Sequence, residues 1–225
     1  MSLTLEKVTV SRGGQMILSS ASLTVAAGEV VGITAPSGAG KTTMLSVASL
    51  LHLPDSGNVV ISGTVVSAGT NKSKIPARLR QNIGLLPQNP RNYADPRLSL
   101  AETICTPLSF RDGRSRPNQK RYRDHILQLC AEAQLPETLL ERRPAEVSDG
   151  QLQRALLARA ISLDPKVLLC DEPTSALDPK TTGAVFEVLR ARASRGAAVI
   201  IASHDLSSLA NTCDEVLALD QLQRR

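Results

Sequence analysis

The run GEVVGITAPSGAGKTTMLSVASLL, Gly28 to Leu51, constrains this chain more than any other stretch. It opens with a short apolar segment of strand character, turns through two glycines, and continues with apolar residues at helical spacing, Met44, Val47, Leu50 and Leu51. A strand, a glycine-rich turn and a helix in that order form a phosphate-binding loop. Backbone N–H groups of Ser37, Gly38, Ala39 and Gly40 curl around phosphates, and the helix start at Lys41, Thr42 and Thr43 adds its positive end. The Lys41 ammonium reaches the β- and γ-phosphates, and the Thr42 hydroxyl is a Mg²⁺ ligand. Ala35 stands where the G-x-x-x-x-G-K-[ST] pattern begins with glycine; a methyl at the strand end is less costly than one at Gly38 or Gly40.

The rest of the chain supports the α/β class. LTLEKVTV and QMILSSASLTV read as antiparallel strands around Gly13-Gly14, and NVVISG and IGLLP as further strands, with Pro54 to Gly57 ending the first helix region. From residue 89 to 160 helical patterns are punctuated by prolines, with no strand among them. Strands then alternate with helices again: KVLLCDEP, the helix PKTTGAVFEVLRARASR, AAVIIASH, a short helix and DEVLAL. That alternation predicts a parallel core sheet. The expected organisation is one domain over 1–225, with a nucleotide-binding core and N-terminal antiparallel β subdomain in 1–88 and 161–225, and an inserted helical subdomain in 89–160.

KVLLCDEP ends a buried strand in two acids. Such a pair is either a helix cap or, at the carboxyl edge of the sheet beside the phosphate loop, the second half of a nucleotide site. On the second reading Asp171 holds Mg²⁺ through water, and Glu172 is the general base that orients the attacking water.

The segment EVSDGQLQRALLARAISLDPKVLLCDEPTSALDP resembles the signature, Walker B and D-loop run of ABC ATPases, in order and spacing, and the resemblance extends over nearly the whole chain. It implies a P-loop ATPase of ABC type that binds ATP and Mg²⁺. It further implies that Gln88 is the Q-loop glutamine, touching the metal and the reacting water, that Asp178 is the D-loop aspartate, and that His204 is the switch histidine. In that family two cassettes pack head to tail, so Ser148, Gly150 and Gln151 serve ATP bound to a partner. Transmembrane permeases, a second ABC ATPase and an extracytoplasmic substrate-binding protein are the implied partners, and the implied place is the cytoplasmic face of the membrane, peripherally bound.

Three departures from the family stand out. Asp149 replaces a signature glycine; a carboxylate about 8 Å from a phosphate charge costs about 2 kcal/mol at an effective dielectric near 20, against about 0.5 kcal/mol if it faces water. Because the motif acts in trans, the penalty falls on the partner's site, which suits a heterodimer with unequal sites. Arg12 stands where the family often places an aromatic on adenine, and either stacks on the base or faces solvent. The chain also stops at DQLQRR, without the C-terminal extension common in some importers.

PQNPRNYADPRLSLAETICTPL, Pro87 to Leu108, resembles the ATPases of peptide, nickel and metal-chelate importers, which sets the expected cargo. ATPases of exporters or lipoprotein release share every catalytic residue and remain the rival. A cassette acting on nucleic acid or ribosomes would suit the net charge of +5 and the run Arg111 to Arg123, but with two Tyr and two Phe there is no stacking platform, and no nucleic acid partner is expected. No apolar run reaches the roughly 18 residues of a membrane span, and the four scattered cysteines suggest reduced thiols.

Overall fold

A computed structural model describes residues 2–175 and 177–223; Ala176 of the SALD run and Arg224 and Arg225 of the tail lie outside the described residues. The chain begins with β1 (Leu3–Arg12) and β2 (Gln15–Val25), an antiparallel hairpin whose turn needs both Gly13 and Gly14 in left-handed conformation, at φ 57° and 80°. Then follow β3 (Val30–Thr34), α1 (Lys41–Ala48), β4 (Ser56–Ile61), β5 (Thr64–Ser67), α2 (Ala77–Gln81) and β6 (Ile83–Leu86). The next segment holds α3 (Leu100–Arg111), α4 (Arg123–Glu132) and α5 (Asp149–Ile161). The chain closes with β7 (Val167–Asp171), α6 (Pro179–Ser194), β8 (Ala198–Ala202), α7 (Leu206–Thr212), β9 (Glu215–Ala218) and α8 (Leu219–Leu222).

Two sheets result. One is antiparallel in the order β2-β1-β4-β5, the other parallel in the order β6-β7-β8-β3-β9. Side chains along the parallel strands alternate between two separate cores, as period-two geometry demands. Val167, Leu169, Ala198, Ile200 and Ala202 face the antiparallel sheet and α1, where Leu3, Leu5, Leu18, Met44 and Ile61 are buried. Leu168, Cys170, Val199 and Ile201 face the helical side, packing with Leu100, Ile104, Leu129, Leu152 and Leu156. Apolar burial on both faces explains why these strands read as continuous apolar runs.

Two details differ from the pattern read in the sequence, the end of the first helix and the shortest elements. The helix after the phosphate loop ends at Ala48: Leu50 takes φ 60° and closes it, donating its N–H to Val47 O, so Leu50 is buried in the core while Leu51 is left exposed. β5, α2 and α8 are four or five residues each, too short to show a period. Among the described residues, the segment between β6 and β7 carries helices and no strand. Cys105, Cys130 and Cys170 are buried and Cys213 half-buried, all free thiols; burial pushes Cys130 and Cys213 up to about 11.

Within that segment, α5 is tied closely to β6. Its face Leu152, Ala155, Leu156 and Ile161 is buried, and a Cβ at Gly84 would lie 2.4 Å from Ala160 O and 2.9 Å from Leu168 Cδ1. The missing side chain therefore sets how near α5 approaches the sheet. Gly84→Ala is expected to destabilise the fold by about 1–3 kcal/mol through overpacking, read as a fall of several degrees in the thermal midpoint. An unchanged midpoint would mean that α5 shifts without cost.

Candidate active site

β3 ends at Thr34, and the loop that follows turns through Gly38 and Gly40 at φ 78° and 108°. Gly40 also packs against β2, where a Cβ would lie 3.0 Å from Ile17 Cγ2. It is the N-cap of α1, and no side chain caps that helix, so the first-turn N–H groups face the loop's concavity. Lys41, 8% exposed, donates from Nζ to Ala35 O at 2.6 Å and lies 4.0 Å from Glu172 Oε1. Nζ also donates to Pro36 O, at 3.5 Å; with that long contact and a distant carboxylate the ammonium keeps donor capacity for an anion.

The acids arrive from the neighbouring strand. Asp171 is the last residue of β7, and its Oδ2 accepts the Thr42 hydroxyl at 2.6 Å across 129 positions of sequence. Burial pushes the Asp171 carboxyl above its usual range; the Thr42 hydroxyl and Lys41 oppose that shift, and the neighbouring Glu172 adds to it. A buried carboxylate and a hydroxyl in contact, with the exposed amide of Gln88 on the same cleft, are hard oxygen donors that suit Mg²⁺ with waters completing its shell.

Glu172 adopts φ 46°, a left-handed conformation that costs an ordinary residue about 1–3 kcal/mol. The turn lets its N–H donate to Ala202 O at 2.8 Å and brings its side chain over the end of β8. There Oε2 accepts the Ser203 hydroxyl at 2.9 Å, and Oε1 accepts the His204 N–H at 3.1 Å and lies 2.9 Å from His204 Nδ1. An ionised carboxylate can only accept, so Nδ1 carries the proton in this contact. Glu172 is thus held by β8 and α1 together, at the carboxyl edge of the sheet.

Arg12, Ser37, Gly38, Gly40, Lys41, Thr42, Thr43, Gln88, Asp171 and Glu172 line one cleft of about 260 Å³. Ala39 turns away from it, to a neighbouring cleft shared with Thr34 and His204. Ser148, Gly150, Gln151 and Asp178 meet elsewhere, in a cleft of about 440 Å³ that shares no residue with the first. Ser148 caps α5 in a reciprocal box, its Oγ accepting from Gln151 N–H at 3.2 Å while Gln151 Oε1 accepts from Ser148 N–H at 2.9 Å. Asp178 caps α6 through Thr181.

Three residues at these clefts escaped the sequence reading. Ser203 orients Glu172. Gln153, buried on α5, donates to Pro87 O at 3.2 Å and Pro173 O at 3.5 Å, joining the residues beside Gln88 and Glu172. Arg91 pairs with Asp149. Only the first carried a local signal, its place directly before His204.

Comparison with known proteins identifies the family. The profile of the ABC transporter family matches residues 18–175. The lipoprotein-releasing system ATP-binding protein LolD of Ruegeria sp. (strain TM1040) is 38% identical over 92% of this chain and 88% of its own. The arginine transport ATP-binding protein ArtM of Bacillus subtilis (strain 168) is 33% identical over 96% and 86%. The dimeric ATP-binding cassette MJ0796, in a post-hydrolysis state bound to ADP and Pi, superposes with a TM-score of 0.85 at 29% identity, covering 96% of this chain and 94% of that one. A phosphate loop, paired acids at the sheet edge and a family match over most of the chain lead to one conclusion: this chain belongs to the ABC transporter family and is an ATP-hydrolysing cassette.

Proposed function

We propose that this chain is the ATP-hydrolysing subunit of a membrane transporter, working as one of two head-to-tail cassettes. The observation that carries this reading is the pair of separate clefts with no lining residue in common, which we read as two halves of a phosphate site. One half offers Lys41, Thr42, Gln88, Asp171 and Glu172; the other offers the helix start at Ser148 and Gly150, with Gln151 and Asp178 beside it. ATP held between the two halves closes the pair, and hydrolysis releases it.

In the closed pair Lys41 and the loop N–H groups bind the β- and γ-phosphates, Arg12 stacks on adenine, and Thr42, Asp171 and Gln88 would hold Mg²⁺, which would neutralise phosphate charge. Glu172 accepts the proton of the attacking water, and His204 keeps that carboxylate oriented. Residues 89–160 act as the signature-bearing unit against a core of 1–88 and 161–225. Among the described residues no helix is long and apolar enough to cross a membrane. The work is transmitted to permease subunits from the membrane's cytoplasmic face.

Import of peptides, nickel or metal chelates, with an extracytoplasmic binding protein, rests on the run from Pro87 to Leu108. Much of that run has local duties: Asn89 caps the turn at Pro90–Asn92, Asp95 holds Arg97, and Ser99 with Glu102 caps α3. Those duties weaken it as a mark of cargo. Identity with a lipoprotein-releasing ATPase favours a second reading, release from the membrane. Purification of the tagged protein from its native membrane separates them: an importer brings down permeases that dock a binding protein, whereas a release system brings down permeases carrying lipoprotein. Recovery without any permease would count against both.

Glu172→Gln is expected to keep ATP binding while lowering phosphate release by at least about 100-fold, because only the base is lost. Turnover near the wild-type rate would remove Glu172 from that role. Lys41→Ala should instead weaken ATP affinity about ten- to a hundredfold, measured by titration with a fluorescent nucleotide.

A further inference from the structure

Asp149 is the acid that departs from the family signature, and it is not alone. The Arg91 guanidinium covers it: Nε donates to Asp149 Oδ1 at 2.6 Å, one terminal nitrogen donates to Pro144 O at 2.9 Å, and the other to Val147 O at 3.0 Å. One planar fork thereby holds three acceptors, two before Ser148 and one after it, a geometry that an ammonium cannot reproduce. Arg91 itself sits three residues beyond Gln88, in a turn fixed by the Asn89 cap and Pro90. Both members of the pair line the cleft of Ser148, Gly150 and Gln151. Both are about half exposed, so the pair adds little to folding stability, and its effect lies in the charge presented to that cleft.

We propose that Arg91 is a positioning residue for the signature helix, which holds the Asp149 carboxylate in place and masks its charge from a phosphate entering the cleft. The inference rests on the two-cassette reading. It replaces the expected penalty on the partner's ATP with a compensated pair, so an acid at this position is compatible with two working sites. Without Arg91 the same carboxylate loses its direct partner, since Arg154, the other cation on this cleft, donates to Gly150 O and Gln134 O, while the N–H groups of Asp149 and Gly150 at the first turn of α5 remain.

The test is a double-mutant cycle in the Glu172→Gln background, where ATP-dependent dimerisation is read by sedimentation across an ATP titration. Arg91→Ala is expected to raise the ATP concentration at half-dimerisation about tenfold, within the roughly thirtyfold that one uncompensated charge near 8 Å allows. Asp149→Gly alone should change it less than about threefold, and the double substitution should return to within about threefold of the parent. Restoration of that kind is not produced by a general loss of packing. If Arg91→Ala is poorly folded, Arg91→Gln gives the same comparison. No effect of Arg91→Ala, or a double variant as weak as the single, overturns the proposal. A parent that binds ATP without dimerising overturns the two-cassette reading and this inference with it, an outcome distinct from the other two.

Discussion

Every residue of β7 and of β8 is buried, and burial on both faces of these strands decides where polar chemistry can sit. With apolar side chains sent alternately to two cores, only the strand ends are free to carry charge. All four inner contributions accordingly come from one edge: the loop after β3, Gln88 after β6, Asp171 and Glu172 at the end of β7, and Ser203 and His204 after β8. The hydrogen bond from Thr42 to Asp171 joins two of these ends and closes the site. The left-handed Glu172 is the local strain that this convergence requires, since an extended residue there would carry its carboxylate past β8 rather than onto Ser203.

The helical side of the molecule depends on the same sheet. α5 lies close enough to β6 that only glycine fits at position 84, and its N-terminus projects a second set of N–H groups into a cleft apart from the first. On the two-cassette reading the chain presents two incomplete anion sites on one framework. Incomplete sites of this kind favour pairing over solitary work, because a phosphate bound to either half still lacks partners on its open side.

The sequence made the phosphate loop and the acid pair legible because each is a short run whose residues act as neighbours, and a family resemblance extended that reading to the signature, the switch histidine and the overall fold. Much of what the sequence concealed was not local. Arg91 and Asp149 are 58 positions apart, Gln153 reaches Pro87 across 66, and nothing in either segment signals its counterpart. Asp149 read alone looked like a liability, since a charge is judged by its surroundings and those are set by the fold. Leu50 and Leu51 extended the apparent helical period past its true end because an apolar residue that closes a helix and one that continues it have the same composition.

Gln153 joins the two halves of the molecule more directly than any other side chain at the site. Its amide nitrogen is shared between carbonyl oxygens of two prolines, one just before Gln88 and one just after Glu172. Proline cannot donate a backbone hydrogen bond in return, so each carbonyl is met by the signature helix without the mutual pairing that would lock a strand. The amide thereby ties the signature helix to the chain beside Gln88 and beside Glu172 at once, so a displacement of α5 against the core is felt at both.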